Sequence, residues 1–591
     1  MDATGTQPAT PGDLLDLLNS IKNRFTPADR ETKAKILRTL NGEEIRDVAS
    51  LTRFHETLCF LRAYPDGPDV LRLVEQALGG FPARVDRLKA SGRPSELKKL
   101  RDTGIAHTAV YYPYPHAMAK WLVAHFPKDV EIDWEDDAGI DRVCAMLPFL
   151  IAYAENDALD DERISLRNWV QTARGTRGIS DLQWLLEGLD RSPLPPEVVR
   201  TVYDGAEVLL GWELRDATAS RTLAKLSTNR IFYHRGPLLR GQIDFWGEVQ
   251  KPLPALRPLP RLTAEALIHL FRSALSVRNR ELHPLLYANP GDVLLADVGR
   301  GVRIALVGVL PEFRLPLEGY YSFLVLKNGV PVSYGGGGPL LDRLEIAGNI
   351  FESFRQGESV YIFSQVFRVF HQLCGSRTFL VPRYQVGYEN EEALASGAFW
   401  FYHKLGFRPE GPDTLALSEE EQSKIKTDQT YRSSRGTLER LAQSDLSFSL
   451  VAGGRQACQI LQPGDLGLLV TQHIAQWFNG DRVAAVRVAA RQVARTLGSP
   501  GWRRWPAPER IAMERLSPIL VLIPDLADWT PVEKRALVRL IRAKGGRRES
   551  AFVRRLQEHT RLARSLHDLA DSAPARVSSV PPPTTSGAPT G

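Results

Sequence analysis

Apolar residues recur every three or four positions along most of this chain. In one central stretch they recur instead at every second position or run on without interruption. The first pattern predicts helices and the second predicts strands. From Asp13 the segments DLLDLLNSIKNRF, ADRETKAKILRTL, EEIRDVASLTRFHETLCFLRAY and DVLRLVEQALGGF are helical, separated by short Pro, Gly and Asn breaks. That order predicts a bundle or solenoid-like layer, without a repeat period firm enough to name a repeat family. The proline-rich PLPALRPLPRL from Pro252 to Leu262 marks a semi-rigid boundary, and a helical TAEALIHLFRSALSVRNRELHPLLYAN follows it. Then GVRIALVGVLP, YYSFLVLKNGVPVSYGG and RLEIAGNIFES predict strands, with Asn328-Gly329 as a two-residue hairpin turn. The run Gly335 to Gly338 predicts a flexible hairpin or a β-bulge.

Next comes RQGES, from Arg355 to Ser359, opening a helix in which the apolar residues Tyr361, Val366, Phe367 and Phe370 recur at helical spacing. A helix start just after a strand presents free backbone N–H groups, which attract anions such as phosphate. SRTFLVPRYQVG and the aromatic helix NEEALASGAFWFYHKLGFRP complete the block. Beyond Pro412 the chain reads as helical again, in DLGLLVTQHIAQWF, DRVAAVRVAARQVARTL and PVEKRALVRLIRAK. The pattern predicts an α/β multidomain chain with residues 1–11 disordered and 12–254 mainly helical. Residues 255–416 form a mixed, mostly antiparallel sheet with helices, 417–571 are helical, and 572–591 are a disordered tail. A length of 591 residues agrees with three or four units.

Composition changes this picture little. The chain is 43% hydrophobic and 24% charged, as ordinary globular proteins are. No apolar run is long enough to span a membrane, and MDATGTQPATPGD has neither a basic start nor an apolar core, so a cytoplasmic protein without membrane contact is expected. Cys59, Cys144, Cys374 and Cys458 are isolated and are expected as small buried hydrophobes. Residues 531–570 carry eleven Lys and Arg against four Asp and Glu, more than the whole chain's net +6. Nucleic acid is therefore not expected at the main body, and weak polyanion contact is assigned to 531–570. Glu135 to Asp137 and the acids from Glu155 to Glu162 have no regular ligand loop, so no metal is expected. VYYPYPHAMAKWLVAHF, from Val110, reads as an extended connector feeding a core helix, and STNRIFYHRGPLLRG, from Ser227, as an interdomain loop whose arginines serve ion pairs.

The order strand, glycine turn, helix, strand, aromatic helix from Asn349 to Pro409, and above all FYHKLGF from Phe401 to Phe407, resembles the GCN5-related N-acetyltransferase superfamily, the acyl-CoA N-acyltransferase fold. In that family a strand leads into a Q/R-x-x-G-x-G/A loop that holds the CoA pyrophosphate, and a later helix ends in Tyr-x-x-x-Gly-Phe. Tyr402, Gly406 and Phe407 match the second signature. Aligning Gly357 with the loop's central glycine puts Phe354, Glu358 and Ser359 at positions that depart from it, with Arg355 one place late. The resemblance implies acetyl-CoA or another acyl-CoA as cosubstrate, an amine acceptor of unknown identity, and phosphate binding by Gln356, Gly357, Glu358 and Ser359 with Arg355. It further implies pantetheine pairing along Ile350, Phe351 and Ser353, a pantetheine contact at Asn390, and Tyr402 as the acid for the thiolate. Glu352, placed on that strand, is the candidate base. The plain alternative for FWFYHKLGF is a packed aromatic helix with Gly406 as its cap. Two classes of function stay open: an N-acyltransferase, and a non-catalytic binding or scaffold protein built on a degenerate domain of that kind.

Overall fold

The computed structural model describes residues 10–241, 243–428, 430–451 and 461–573, so Cys458 and both expected disordered ends, apart from a few residues, lie outside the described residues. The N-terminal helices are α1 (Pro11–Ile21), α2 (Pro27–Gly42), α3 (Val48–Ala63), α4 (Pro68–Gly79) and α5 (Phe81–Ser91). Four of them carry proline in the first turn, where its missing N–H costs nothing and its fixed φ suits a helix. Thr10 and Thr26 cap α1 and α2 from the preceding position. Helix α3 is buried on most sides, with Leu51, Phe54, Leu58, Phe60 and Leu61 fully buried together with the polar His55 and Thr57, and such a helix belongs inside a core.

The region expected as one helical domain holds a second, smaller unit. Strands β1 (Ala109–Tyr112), β2 (Val130–Ile132) and β3 (Leu210–Glu213) form an antiparallel sheet in the order β1-β3-β2. Helices α6 (His116–His125), α7 (Asp181–Arg191) and α8 (Pro196–Ala206) cover it. Trp121, Leu185, Tyr203 and Trp212 belong to a core separate from the main one. The segment from Val110 does feed a core helix, α6, but its extended part is strand β1 of a sheet rather than a connector. Each strand is only three or four residues long, too short for an alternating pattern to stand out in the sequence.

The main sheet has nine strands: β4 (Leu256–Pro258), β5 (Ala288–Gly299), β6 (Val302–Val309), β7 (Tyr321–Lys327), β8 (Val330–Leu340), β9 (Arg343–Ile350), β10 (Thr378–Val381), β11 (Arg408–Pro409) and β12 (Leu446–Ser449). Their order is β11-β12-β10-β9-β8-β7-β6-β5-β4. Neighbours from β4 to β9 are antiparallel, β9 and β10 are parallel, and β10, β12 and β11 are antiparallel. A parallel pair needs a crossover, and helix α9 (Ser359–Cys374) supplies it between β9 and β10. Asn328 and Gly329 have φ of +51° and +86°, as a two-residue turn requires.

Two expectations are corrected here. The sheet runs past residue 416, because β12 inserts between β10 and β11 and brings Phe448 against Phe245 and Phe407. Gly335 to Gly338 are not a flexible loop; they lie within β8, paired on both sides. A Cβ at Gly336 would fall 1.7 Å from the Tyr320 hydroxyl, and one at Gly337 2.6 Å from the Phe370 ring, so these positions are small because aromatic rings cross the strand.

The C-terminal helices α10 (Pro463–Phe478), α11 (Arg482–Thr496), α12 (Ala507–Leu520), α13 (Pro531–Lys544), α14 (Glu549–Glu558) and α15 (Thr560–Asp571) share the main core with the sheet and α1–α5. Buried polar groups fasten them. Arg314 donates to the carbonyls of Lys544 and Gly546 at 2.7 Å, and Asp292 accepts from the Tyr321 hydroxyl and the Glu549 N–H at 2.9 Å. Cys59 and Cys374 are buried as expected, whereas Cys144 is exposed. No helix among the described residues is long and apolar enough to cross a membrane.

Candidate functional site

Strand β9 is eight residues long, but β10 pairs only with its first three, Arg343, Leu344 and Glu345. Pro382 then removes a ladder donor and β10 leaves the sheet. The β10-facing edge of β9 is thus open from Ile346 to Ile350, and a cavity of about 550 Å³ lies along it. That volume suits a small organic ligand. Ala347 to Ile350 form one wall, and Arg355 and Ser359 stand where the chain enters α9. Tyr384, Gln385, Asn390 and Glu392 come from the segment after β10, while Phe401 and Tyr402 come from the aromatic helix Ala398–Lys404. Asn279, Arg280 and Glu281 enter from the loop before β5.

Side chains stand in for the missing strand partner. Gln385 Oε1 accepts the Gly348 N–H at 3.2 Å, and Arg355 Nε reaches the Ile350 carbonyl at 3.4 Å. These are edge groups that an extended ligand would pair with. Charge gathers at the mouth. Glu392 bridges Arg355 and Arg280, the latter at 2.7 Å; burial pushes its carboxyl up, but the two guanidiniums outweigh that and hold it below the usual range. Glu281 is the opposite case. Burial lifts its carboxyl above the usual range, and a hydrogen bond from Tyr112 of β1 only partly offsets this.

Tyr402 is buried, its ring edge-on to Phe363 and Phe407, and burial raises its phenol well above the ordinary value. Gly406, at φ +102°, turns the chain so that the Phe407 N–H reaches the Tyr402 carbonyl at 3.2 Å. Comparison with family models, curated proteins and solved structures finds no match to this chain. The site is therefore read from its own residues.

Of the residues singled out in the sequence, Ile350, Arg355, Ser359, Asn390 and Tyr402 come together in this cavity. Asn390 also caps the helix Glu391–Ser396 through Ala393 N–H at 3.1 Å and donates to the Tyr384 carbonyl at 3.0 Å. The others turn away, toward the N-terminal helices. Phe351 is buried and stacks on Tyr334. Ser353 bonds Glu56 of α3 and takes Arg221 at 2.9 Å. The Gln356 carbonyl takes Arg240. The Gly357 N–H is closed onto the Phe354 carbonyl at 2.8 Å, and a Cβ there would fall 2.4 Å from the Tyr64 hydroxyl, so the glycine accommodates Tyr64.

Glu358, which would repel a phosphate if it faced one, points into the protein. It is fully buried, with Lys327 Nζ at 2.9 Å and Arg300 beside it, and it accepts from the Leu239 N–H at 3.1 Å. Burial pushes the Glu358 carboxyl up; Lys327 and Arg300 more than offset this, while burial pushes the Lys327 ammonium down to about 8. Both remain ionised at neutral pH. Glu352 is corrected outright. Strand β9 ends at Ile350, and Glu352 is exposed at the start of a single turn outside the cavity wall. Sequence reasoning missed Gln385, Glu281, Arg280 and Glu392. The one available signal was length: a long strand followed by a four-residue one leaves an open edge.

Proposed function

We propose that the chain is an acyl-CoA-dependent N-acyltransferase whose site is the cavity on the open edge of β9. The observation that carries the reading is the unpaired stretch Ala347–Ile350 in a cavity that also holds Ser359, Arg355 and Tyr402. An acyl-CoA carries amides to pair with such an edge and phosphates to meet the start of α9 and Arg355. The chain's resemblance at FYHKLGF points to the same class, and the antiparallel strands, parallel crossover pair and aromatic helix follow in the order that class requires.

In this reading the acceptor amine attacks the thioester carbonyl, a C–N bond forms, and the C–S bond breaks. Tyr402, neutral at physiological pH, donates its proton to the departing thiolate. Glu281 replaces Glu352 as the base, since it lines the cavity and its raised carboxyl makes it a stronger base than an ordinary carboxylate. The acceptor enters from the side where Glu281 meets Tyr112, which assigns the small three-stranded unit a part in selecting it.

One observation favours the second reading, a non-catalytic binding protein. The Gly357 N–H is already bonded, the Glu358 N–H lies 3.4 Å from the Tyr64 hydroxyl, and Glu392 already neutralises Arg280 and Arg355. Titration calorimetry of the full chain with acetyl-CoA and longer acyl-CoAs separates the two. One saturable site per chain with release of free thiol on adding amines supports the transferase; binding without turnover, or no acyl-CoA binding at all, refutes it and leaves the non-catalytic binding or scaffold protein.

A further inference from the structure

The basic surplus of 531–570 is largely spent on structure. Arg542 pairs with Glu509 at 2.6 Å, Lys544 with Glu549 at 2.8 Å, and Arg561 with Asp525. Arg547 and Arg554 donate to the carbonyls of Gly291 and Leu373, both at 2.9 Å, and Lys534 to that of Ala527 at 2.7 Å. A group so bound has little left for a mobile anion.

A tighter cluster of arginines without carboxylate partners among the described residues lies earlier, where α11 meets α12. There a groove of about 500 Å³ is lined by Arg482, Arg487 and Arg503, with Val483 and Val486 between them and Trp502 at its base. Glu514 is the one acid on its walls, and no ion pair joins it to any of the three among the described residues. Among the described residues the one hydrogen bond of the Arg482 side chain goes to the Gly480 carbonyl, at 3.2 Å, and Arg503 lies over the Trp502 ring at 5.8 Å. Arg487 has no carboxylate partner among the described residues and continues as an exposed ridge through Arg491 and Arg495, one turn apart, about 6 Å along the helix. Three exposed arginines face a single acid, so the groove carries a net positive potential that an anion can neutralise.

We propose that this groove binds the phosphate backbone of a nucleic acid strand. Guanidinium groups match phosphate oxygens in paired hydrogen bonds, and a row of them follows a repeating anion rather than a single one. The arginines converge in a concave slot, whereas an anionic bilayer offers a flat surface; that difference favours a strand over a lipid surface. The contacts are to the backbone, so binding is independent of sequence.

The test is fluorescence anisotropy of the full-length protein with a labelled 20-nucleotide single-stranded RNA at 50 to 200 mM KCl. Wild type is expected to bind with a steep salt dependence. R482Q/R487Q/R503Q should lower the slope of log K against log salt by about 2, three phosphates at about 0.7 each for a single strand. R482Q/R487Q, which leaves the Arg503 stack on Trp502 intact, should lower it by about 1.4 and keeps the test valid should the triple variant fail to fold. R535Q/R539Q on α13 should change nothing. An unchanged slope in the double variant, an equal loss in R535Q/R539Q, or no RNA binding at 50 mM KCl would overturn the proposal. So would arginine-dependent binding to phosphatidylserine vesicles in the absence of RNA binding.

Discussion

Tyr402 and Glu281 carry the chemical claim at the scale of single residues. Tyr402→Phe removes one hydroxyl from a ring whose packing against Phe363 and Phe407 is unchanged. Turnover should fall by about 10²-fold, the scale of a lost general acid, while the acetyl-CoA dissociation constant barely moves. Glu281 must be deprotonated to act, and its carboxyl is raised, so acid should shut off kcat/KM at a pH above the ordinary carboxylate range. Glu281→Gln should remove that limb of the pH profile; a limb that survives the substitution assigns the base elsewhere. Gly357 belongs to stability instead of ligand binding. Gly357→Ala sets a methyl against the Tyr64 hydroxyl and should cost about 1–3 kcal/mol, read as a lowered urea midpoint. A variant of full stability that only weakens acyl-CoA binding would return the glycine to a phosphate loop.

Elements show how far sequence reached. Strands β6, β7 and β9, the first half of β8 and helix α9 were legible from their apolar residues and from Asn328-Gly329 marking a turn, whereas the glycine run hid the second half of β8. Strand β5 was not, since Asn289-Pro290-Gly291 opens it with turn residues. Strand β12, LSFS, has no local signal; its pairing with β10 and β11 is a tertiary fact. Glu358 was legible only as a misfit, because its partners Lys327 and Arg300 lie far off in sequence, on the β7 end and the β5–β6 turn. That buried group joins the loop before α9 to the sheet and to the strap from Ser227 to Gly241. Lys327→Met leaves the buried Glu358 with Arg300 as its one cationic partner and should cost about 3–5 kcal/mol of stability at pH 7. The sign of its acid dependence follows from the lowered Glu358 carboxyl: its contribution is present above the ordinary carboxylate pKa and lost as pH falls through the lower folded value. A midpoint unchanged by the substitution would show that the network is not holding the loop.

Across the whole molecule, the N-terminal helices, the nine-stranded sheet and the C-terminal helices share one core, and the three-stranded unit with its own core stands beside the cavity mouth. The flanking regions are thus parts of the site's scaffold, with α3 backing the loop before α9 through Glu56 and Tyr64. The account turns on the open edge of β9. Backbone hydrogen exchange of the full-length protein, with and without saturating acetyl-CoA, reads that edge directly. The account predicts that a peptide spanning Ile346 to Ile350 gains protection on ligand addition, as strong main-chain pairing replaces the single Gln385 contact at Gly348, while peptides from β6 and β7 stay unchanged. Protection that appears elsewhere and leaves Ile346–Ile350 exchanging as before would contradict it.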